Sequence, residues 1–524
     1  SNIYSLSQIA EGTKVLGDPA NTRTANSHFY FETGLSYANV LNEDHELGAV
    51  LVYTQEENKN TAAEGSIQVT LPQRNQAIRA RANYAYKSKY MAEASVTYNG
   101  SEKFDADHRW GVFPAMGVGY MISNEDFWQP LSEVMEKFKL RYSYGLVGND
   151  NISDPRDRFY FLSDIKREGG YTWGKDFLTS YSGLKVNRYA NPEITWEIAR
   201  KQNLGMEVNL WRVLDIQLDY FMEKREKVYE KRAHIPATMG IINDIWGNVG
   251  EVKSWGWDGS ADLNYVINKD AWVTGRFNFT YAKNKVTERE EPAYRDEYLR
   301  TIGWPVRQQW GLIAERLFID EYDVANSPVQ NLGTKAQAGD IKYKDINNDG
   351  IINDNDKVPI GYPSVPELSY GFGLSAGYKN WDISFFFQGQ GHSSFFIDPY
   401  KISPFRNYRN VVSYIADDHW SQNNPVSHAF WPRLSTQDNS NNYKKESTWW
   451  LRDGRYLRLK NVELGYSLPK HALRKVGLGN VRFYFTGLNL LCFSSFDLWD
   501  PEMGDNGLGY PLQRVYNVGV QFDF

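Results

Sequence analysis

Residues 369–388 read SYGFGLSAGYKNWDISFFFQ, and the pattern in this stretch decides the fold. Taken two at a time, Tyr370, Phe372, Leu374, Ala376 and Tyr378 fall on one side of an extended chain, and Ser369, Gly371, Gly373, Ser375 and Gly377 fall on the other. One side is apolar and the other is small. Lys379 and Asn380 make a two-residue turn, after which Trp381, Ile383, Phe385 and Phe387 take the apolar side against Asp382, Ser384, Phe386 and Gln388. The segment is a β-hairpin. The same period recurs at 214–220, where Leu214, Ile216, Leu218 and Tyr220 oppose Asp215, Gln217 and Asp219. It recurs again at 273–281, where Val273, Phe277, Phe279 and Tyr281 oppose Thr274, Arg276, Asn278 and Thr280.

A soluble sandwich also alternates, so the strand ends and the connections have to discriminate. Apolar faces begin or end in Trp or Tyr beside tight turns (Trp211, Tyr378, Trp381), as in an aromatic girdle at a membrane interface. Many strands run to ten residues or more, which suits a tilted strand crossing a bilayer. Short turns at 41–45, 87–89, 211–213, 268–270 and 379–380 alternate with long polar stretches at 60–76, 150–192, 230–250 and 397–448. Outer-membrane barrels pair short periplasmic turns with longer extracellular loops in this way. The count is about fifteen strands, or seventeen if 302–318 and 338–345 form a further pair. A sheet in lipid has to close, because nothing there satisfies an open edge.

Composition fits this reading and removes others. The 524-residue chain is 15% aromatic, with 35 Tyr and 17 Trp, yet its mean hydropathy is −0.57. No run reaches the roughly 20 apolar residues of a membrane helix. A net charge of −6 argues against a nucleic-acid partner. The single cysteine, Cys492, excludes an intramolecular disulfide and a cysteine-based zinc cluster, and its setting in LNLLCF reads as buried filler. The polar opening SNIYSLSQIAEG does not read as a signal peptide, so the expectation is a mature chain or one whose beginning lies elsewhere. At the other end VYNVGVQFDF places Tyr516, Val518, Val520, Phe522 and Phe524 on one face, which resembles the terminal strand by which barrel precursors are recognised for assembly.

Further stretches carry a family resemblance. They are YNGSEKFDADHRWGVFPAMGVGY (98–120), KLRYSYGLVGNDNI (139–152), NPEITWE (191–197), NVGEVKSWG (248–256), GDIKYKDINNDGIINDNDKVPIG (339–361), WLRDGRYLRLKNVELGYSLP (450–469), and TGLNLL with DPE between 486 and 502. In this order and spacing the chain resembles the C-terminal part of a SusC/RagA-type TonB-dependent outer-membrane transporter of the Bacteroidetes. Asn99, where the family more often has Asp before Gly-Ser, is a small departure. The resemblance implies an all-β transmembrane antiparallel barrel, in which residues 1–524 are the C-terminal portion of a 22-stranded barrel with long extracellular loops. The plug that fills such a barrel, with its TonB-binding box, is then expected in the N-terminal part of the same transporter, outside this chain.

The resemblance also implies a location and partners: the outer membrane and its lipid, a SusD-like surface lipoprotein, the TonB complex acting through the plug, and no nucleic acid. The expected activity is TonB-dependent import of oligosaccharides or peptides. The alternative is a passive porin or adhesin barrel.

One loop carries its own chemistry. DINNDGIINDND, residues 345–356, has the spacing of an EF-hand calcium loop, with Asp345, Asn347, Asp349, Asn353 and Asp356 offering side-chain oxygens and Ile351 a carbonyl at the seventh place. Gly350 stands where that loop turns sharply. The hairpin that follows excludes a helix-flanked sensor, and two readings stay open: a structural Ca²⁺ loop on the extracellular side, or a polar turn. No organic cofactor is implied.

Enzymatic signals fail. GLSAG (373–377) matches a nucleophile-elbow motif, but its Ser375 lies mid-strand rather than at a strand-to-helix turn. The eight histidines lack HExxH spacing, and Asp417 and Asp418 read as solvated loop charge. Trp420, Trp431 and Trp499 are loop aromatics able to stack on sugars or to pack a loop. The chain is expected not to be an enzyme.

Overall fold

The computed structural model describes residues 25–152, 159–175, 177–406, 409–444, 446–469, 473 and 479–523, except 61–70. Within them one antiparallel sheet of fifteen strands runs in strict sequence order. Its strands are β1 (Asn26–Leu41), β2 (His45–Asn60), β3 (Gln73–Tyr86), β4 (Tyr90–Ser101), β5 (Trp110–Met121), β6 (Met135–Asn149), β7 (Glu197–Leu210) and β8 (Leu214–Lys231). They continue as β9 (Trp246–Asn268), β10 (Ala271–Glu288), β11 (Leu368–Tyr378), β12 (Trp381–Gly391), β13 (Tyr456–Ser467), β14 (Asn480–Ser494) and β15 (Val515–Asp523). Fifteen strands make up the sheet among the described residues. Of the further pair that 302–318 and 338–345 offered, only a short antiparallel pairing of 314–317 with 341–343 forms, outside the sheet, and 310–311 pairs with 358–359. They belong to a connection, being too short to cross a bilayer.

The hairpin read from 369–388 forms in the expected register, with Tyr378 opposite Trp381 and Phe372 opposite Phe387. Register shifts interrupt the pairing at a few points, among them 386–387 and 225–229, but across the stretches between them faces carry over from strand to strand. Leu218, Phe279, Phe372, Phe385, Leu464 and Val518 share the outer face with Val118 and Ile383, which are 57% and 47% exposed. In water so large an apolar surface would aggregate, whereas in lipid it is solvated.

At one end of the sheet five connections are tight turns of two or three residues, and at the other end the connections after β6, β10 and β12 run to more than forty residues each. At the short-turn end the outer face carries aromatic rows: Tyr86, Tyr90 and Tyr120 on neighbouring strands, and Tyr378, Trp381 and Tyr466 on another three. Tyr90 and Tyr120 stack at 5.0 Å between ring centroids. Such a row seats a girdle at the membrane interface, with its apolar rings and polar tips spanning the boundary. Several of these turns place non-glycine residues in the left-handed region, among them Asn42, Glu43, Trp211 and Arg212. That geometry matches the twist of the flanking strands.

β1 and β15 do not pair with each other, so both edges of the sheet are open among the described residues. Phe524 lies outside the described residues. Cys492 is half-buried rather than fully buried and lies opposite Arg458 in the β13–β14 register.

Two of the long connections fold together. The connection after β10 and the connection after β12 share one apolar core, with Leu312, Leu317, Ile341, Tyr343 and Ile352 from the first and Ile397, Ile415, Trp420, Trp431 and Trp450 from the second. Backbone bonds stitch them: Leu312 N–H donates to Glu446 O (3.0 Å) and Thr448 N–H to Leu312 O (3.0 Å). The result is a folded cap on the long-loop side of the sheet.

Candidate functional site

The DINNDGIINDND loop lies within this cap. It is tied down on one side by a parallel pairing of Val329–Gln330 with Ile351–Ile352 and closed by a single turn over Asp354–Asp356. Gly350 takes φ +81°, the sharp turn that the sixth position requires. Asp345 Oδ2 accepts from Gly350 N–H (2.8 Å), Asn347 Oδ1 from Asp349 N–H (3.0 Å) and Asp349 Oδ1 from Ile351 N–H (2.8 Å). Asn353 Oδ1 accepts from Asn355 N–H (2.7 Å), and Asp356, fully buried, accepts from Ile346 N–H (2.9 Å) and Asn353 N–H (2.8 Å). Each of these oxygens keeps a second lone pair.

Two further features bear on this loop. Asp345 Oδ1 is buried and has no hydrogen-bond partner. The carbonyls of Gly350 and Ile352 bond to Val329 and Asn331, which leaves the Ile351 carbonyl on the opposite side, with its own N–H turned to Asp349. The carboxylates of Asp356, Asp349 and Asp345 lie near Tyr298, whose hydroxyl donates to Asn355 O (2.6 Å). Burial, then Asp296 and these three charges, push the Tyr298 phenol above its ordinary value. The six residues singled out in the sequence thus sit in one loop, although no three His, Cys, Asp or Glu side chains among the described residues form a compact metal cluster.

The cap resolves other sequence candidates. Trp420 and Trp431 are core residues, 6% and 1% exposed, and Trp499 packs on Phe496 at 4.9 Å. Trp420 and Trp431 hold the cap core and offer no face to a solute, while Trp499 is half-buried at its edge. Asp418 accepts from Phe430 N–H (3.0 Å), a loop tie. Ser375 sits mid-strand between Thr274 and Ser384, with no turn to expose it as a nucleophile.

The inner face of the sheet is a second site, built by register. One row across five strands is Gln217, Ser260, Asn278, Gly371 and Gln388, and the row above it runs Asp219, Asp258, Thr280, Ser369 and Gln390. Together they wall a concavity of about 490 Å³. Ion pairs brace the wall around it. Arg141 reaches Asp219 (2.6 Å) across Gly205, and Arg276 holds Asp262 (2.7 Å). Sequence reading does not isolate this wall, because register assembles it from strands far apart in the chain. The available signal was Phe386, an aromatic residue on an otherwise small and polar face.

Comparisons place the chain among known proteins. No family model matches it. It is 30% identical over 478 residues to TonB-dependent receptor P26 of Formosa agariphila, covering 85% of this chain and 45% of that protein. It is 25% identical to TonB-dependent receptor SusC of Bacteroides thetaiotaomicron, with 85% and 43% covered. The solved RagAB peptide importer in its closed-closed state superposes with a TM-score of 0.71 at 20% identity, over 96% of this chain and 56% of that one. The chain spans about half the length of the relatives it matches.

Proposed function

We propose that this chain, which belongs to the SusC/RagA-type TonB-dependent receptors and is an integral part of an outer-membrane β-barrel, forms the wall and outer cap of an active importer for large polar solutes. The observation that carries the reading is the two-faced sheet. An apolar, girdled outer surface faces lipid, while a polar, ion-paired inner surface faces a wide lumen. The residues 1–524 are then a barrel portion whose open edges pair with strands from the rest of the same transporter, since lipid leaves no other way to satisfy them. In the whole protein a plug fills the lumen and couples to TonB. A SusD-like lipoprotein covers the cap side, and the cargo is an oligosaccharide or a peptide. The chain has no catalytic part in this scheme.

Uptake of fluorescent oligosaccharide and peptide pools by cells carrying the full-length transporter tests this reading. Accumulation is expected to stop when the inner-membrane proton gradient is collapsed. Uptake that continues unchanged would favour a passive pore.

For the cap loop we propose a structural Ca²⁺ held by Asp345, Asn347, Asp349, the Ile351 carbonyl, Asn353 and Asp356. The support is the buried, partnerless Asp345 Oδ1, a costly feature unless a cation faces it. The bound ion would supply charge that stiffens the loop. Tyr298 offers a readout independent of transport: Tb³⁺ replacing the ion should luminesce on tyrosine excitation. That emission should fall sharply in Tyr298→Phe and vanish in the Asp345→Ala/Asp349→Ala double variant. Equal emission from all three proteins would reduce the loop to a polar turn.

A further inference from the structure

On the outer face of β7–β10, strand register brings cations together near the long-loop end. Arg200, Lys224, Lys253 and Lys285 stand side by side on four neighbouring strands, each directly opposite the next. Two of them are engaged: Arg200 Nε pairs with Glu226 (2.8 Å), and Lys224 Nζ with Glu226 (2.8 Å) and Glu251 (2.7 Å). In the next row toward the short turns, Lys283 faces Glu367 (3.8 Å). Lys253 and Lys285 are exposed and form no ion pair among the described residues, although Glu251 feels the charge of Lys253 at longer range. Like charges directly opposite each other destabilise a sheet unless an anion lies between them.

Aromatic residues fix the depth of this row. Tyr220, Trp257 and Tyr281 share a row on the outer face, with Tyr220 and Trp257 4.9 Å apart between ring centroids. Tyr281 is ten positions along β10 from Ala271, which lies in the row of Tyr378 and Trp381 at the short-turn girdle. At roughly 3.3 Å per residue and a tilt of about 40°, that separation is about 25 Å of depth, the height of the apolar band of an outer-membrane barrel. Tyr220, Trp257 and Tyr281 are thus the second girdle. Lys253 and Lys285 lie beyond it, at headgroup depth, and the Lys285 ammonium reaches back to 6.0 Å from the Trp255 ring centroid.

We infer that Lys253 and Lys285 hold the phosphate of an anionic lipid in the outer leaflet, whose acyl chains lie against the girdle and against Leu218 and Phe279 beneath it. A phosphate monoester answers both ammonium groups at once, whereas a zwitterionic headgroup brings a cation of its own. A soluble phosphate lacks the chains that the apolar rows accommodate. Strands that close the barrel pair at β1 and β15, and a plug meets the inner wall, so neither covers this row. The inference rests on the outer face meeting lipid and is independent of the cargo.

The test is native mass spectrometry of the purified full-length transporter in neutral detergent, with dioleoyl phosphatidic acid, dioleoyl phosphatidylcholine or inorganic phosphate added. Phosphatidic acid is expected to be retained severalfold more than phosphatidylcholine. Its retention should fall severalfold in Lys253→Ala/Lys285→Ala, recover in Lys253→Arg/Lys285→Arg, and stay unchanged in Lys379→Ala at the opposite girdle. Heat-resistant migration of each variant checks that the barrel is assembled. Retention of both lipids without preference, or phosphatidic acid held equally by the double alanine variant, would overturn the site and leave the outer face in lipid. Retention of neither lipid would count against both. Displacement of the lipid by millimolar inorganic phosphate would overturn the lipid assignment in favour of a free-anion site.

Discussion

Asp340 shows how one buried charge organises the cap. It is fully buried, and its Oδ1 accepts from Arg433 Nε (2.6 Å), Asn439 Nδ2 (2.8 Å) and Asn442 Nδ2 (2.9 Å), while Oδ2 takes Gln337 N–H (3.0 Å). Asp340→Asn strands Arg433 and turns an amide toward donors, at a cost of about 3–5 kcal/mol in cap stability. Protease sensitivity should rise in 331–345 and 433–444, while the barrel keeps its heat-resistant migration, because its strands bond to one another. Asp323 supplies a pH signature. The Arg316 guanidinium beside it, helped by Ile319 N–H and Lys342, holds its carboxyl well below the usual range. A depressed carboxyl stabilises the fold above its ordinary value of about 3.9 and loses that contribution only as pH falls through the lower folded value. Amide exchange of 319–327 should thus stay slow from neutral pH down to about 4 and quicken only in stronger acid. Quickening already at mildly acid pH would contradict the pairing.

At the scale of elements, the cap behaves as one unit built chiefly from two distant connections, with Phe496 added from a third. Trp450 is fully buried, lies 5.1 Å from Trp431 between ring centroids, and donates its indole N–H to Asn442 O (3.0 Å). Trp450→Ala should cost about 3–5 kcal/mol. Hydrogen exchange should then speed up together in 310–359, the other connection, and in 413–443. Loosening confined to the second would show that the shared core does not couple them. These elements also divide what was legible in the sequence from what was not. The 369–388 hairpin was legible, because a period of two repeated on both sides of a turn has few other solutions. The strands at 310–311 and 351–352 were not, since two residues carry no period. Trp420 and Trp431 could not be told from exposed stacking residues, because a cap core and a binding surface use the same aromatics. The DINNDGIINDND loop was legible because its oxygens are contiguous in the chain. The inner-wall concavity was hidden, because register assembles it from strands separated by long connections.

At the scale of the whole molecule, every functional statement depends on which side of the sheet meets lipid. The register assigns Phe372, Leu374 and Ala376 to the outer face and Gly371, Gly373 and Ser375 to the inner. The same assignment gives the barrel its inner wall and sets the cap at the long-loop end of the sheet. The most direct measurement is a spin-label scan of residues 370–377, one cysteine at a time, in the full-length transporter reconstituted in lipid with Cys492→Ser as background. Collisions with oxygen, which concentrates in lipid, are expected to peak at Phe372, Leu374 and Ala376. Collisions with a water-soluble nickel chelate should be at their lowest at those positions and higher at Gly371, Gly373 and Ser375. A profile with no period of two, or one with its two faces exchanged, would contradict the barrel-wall account.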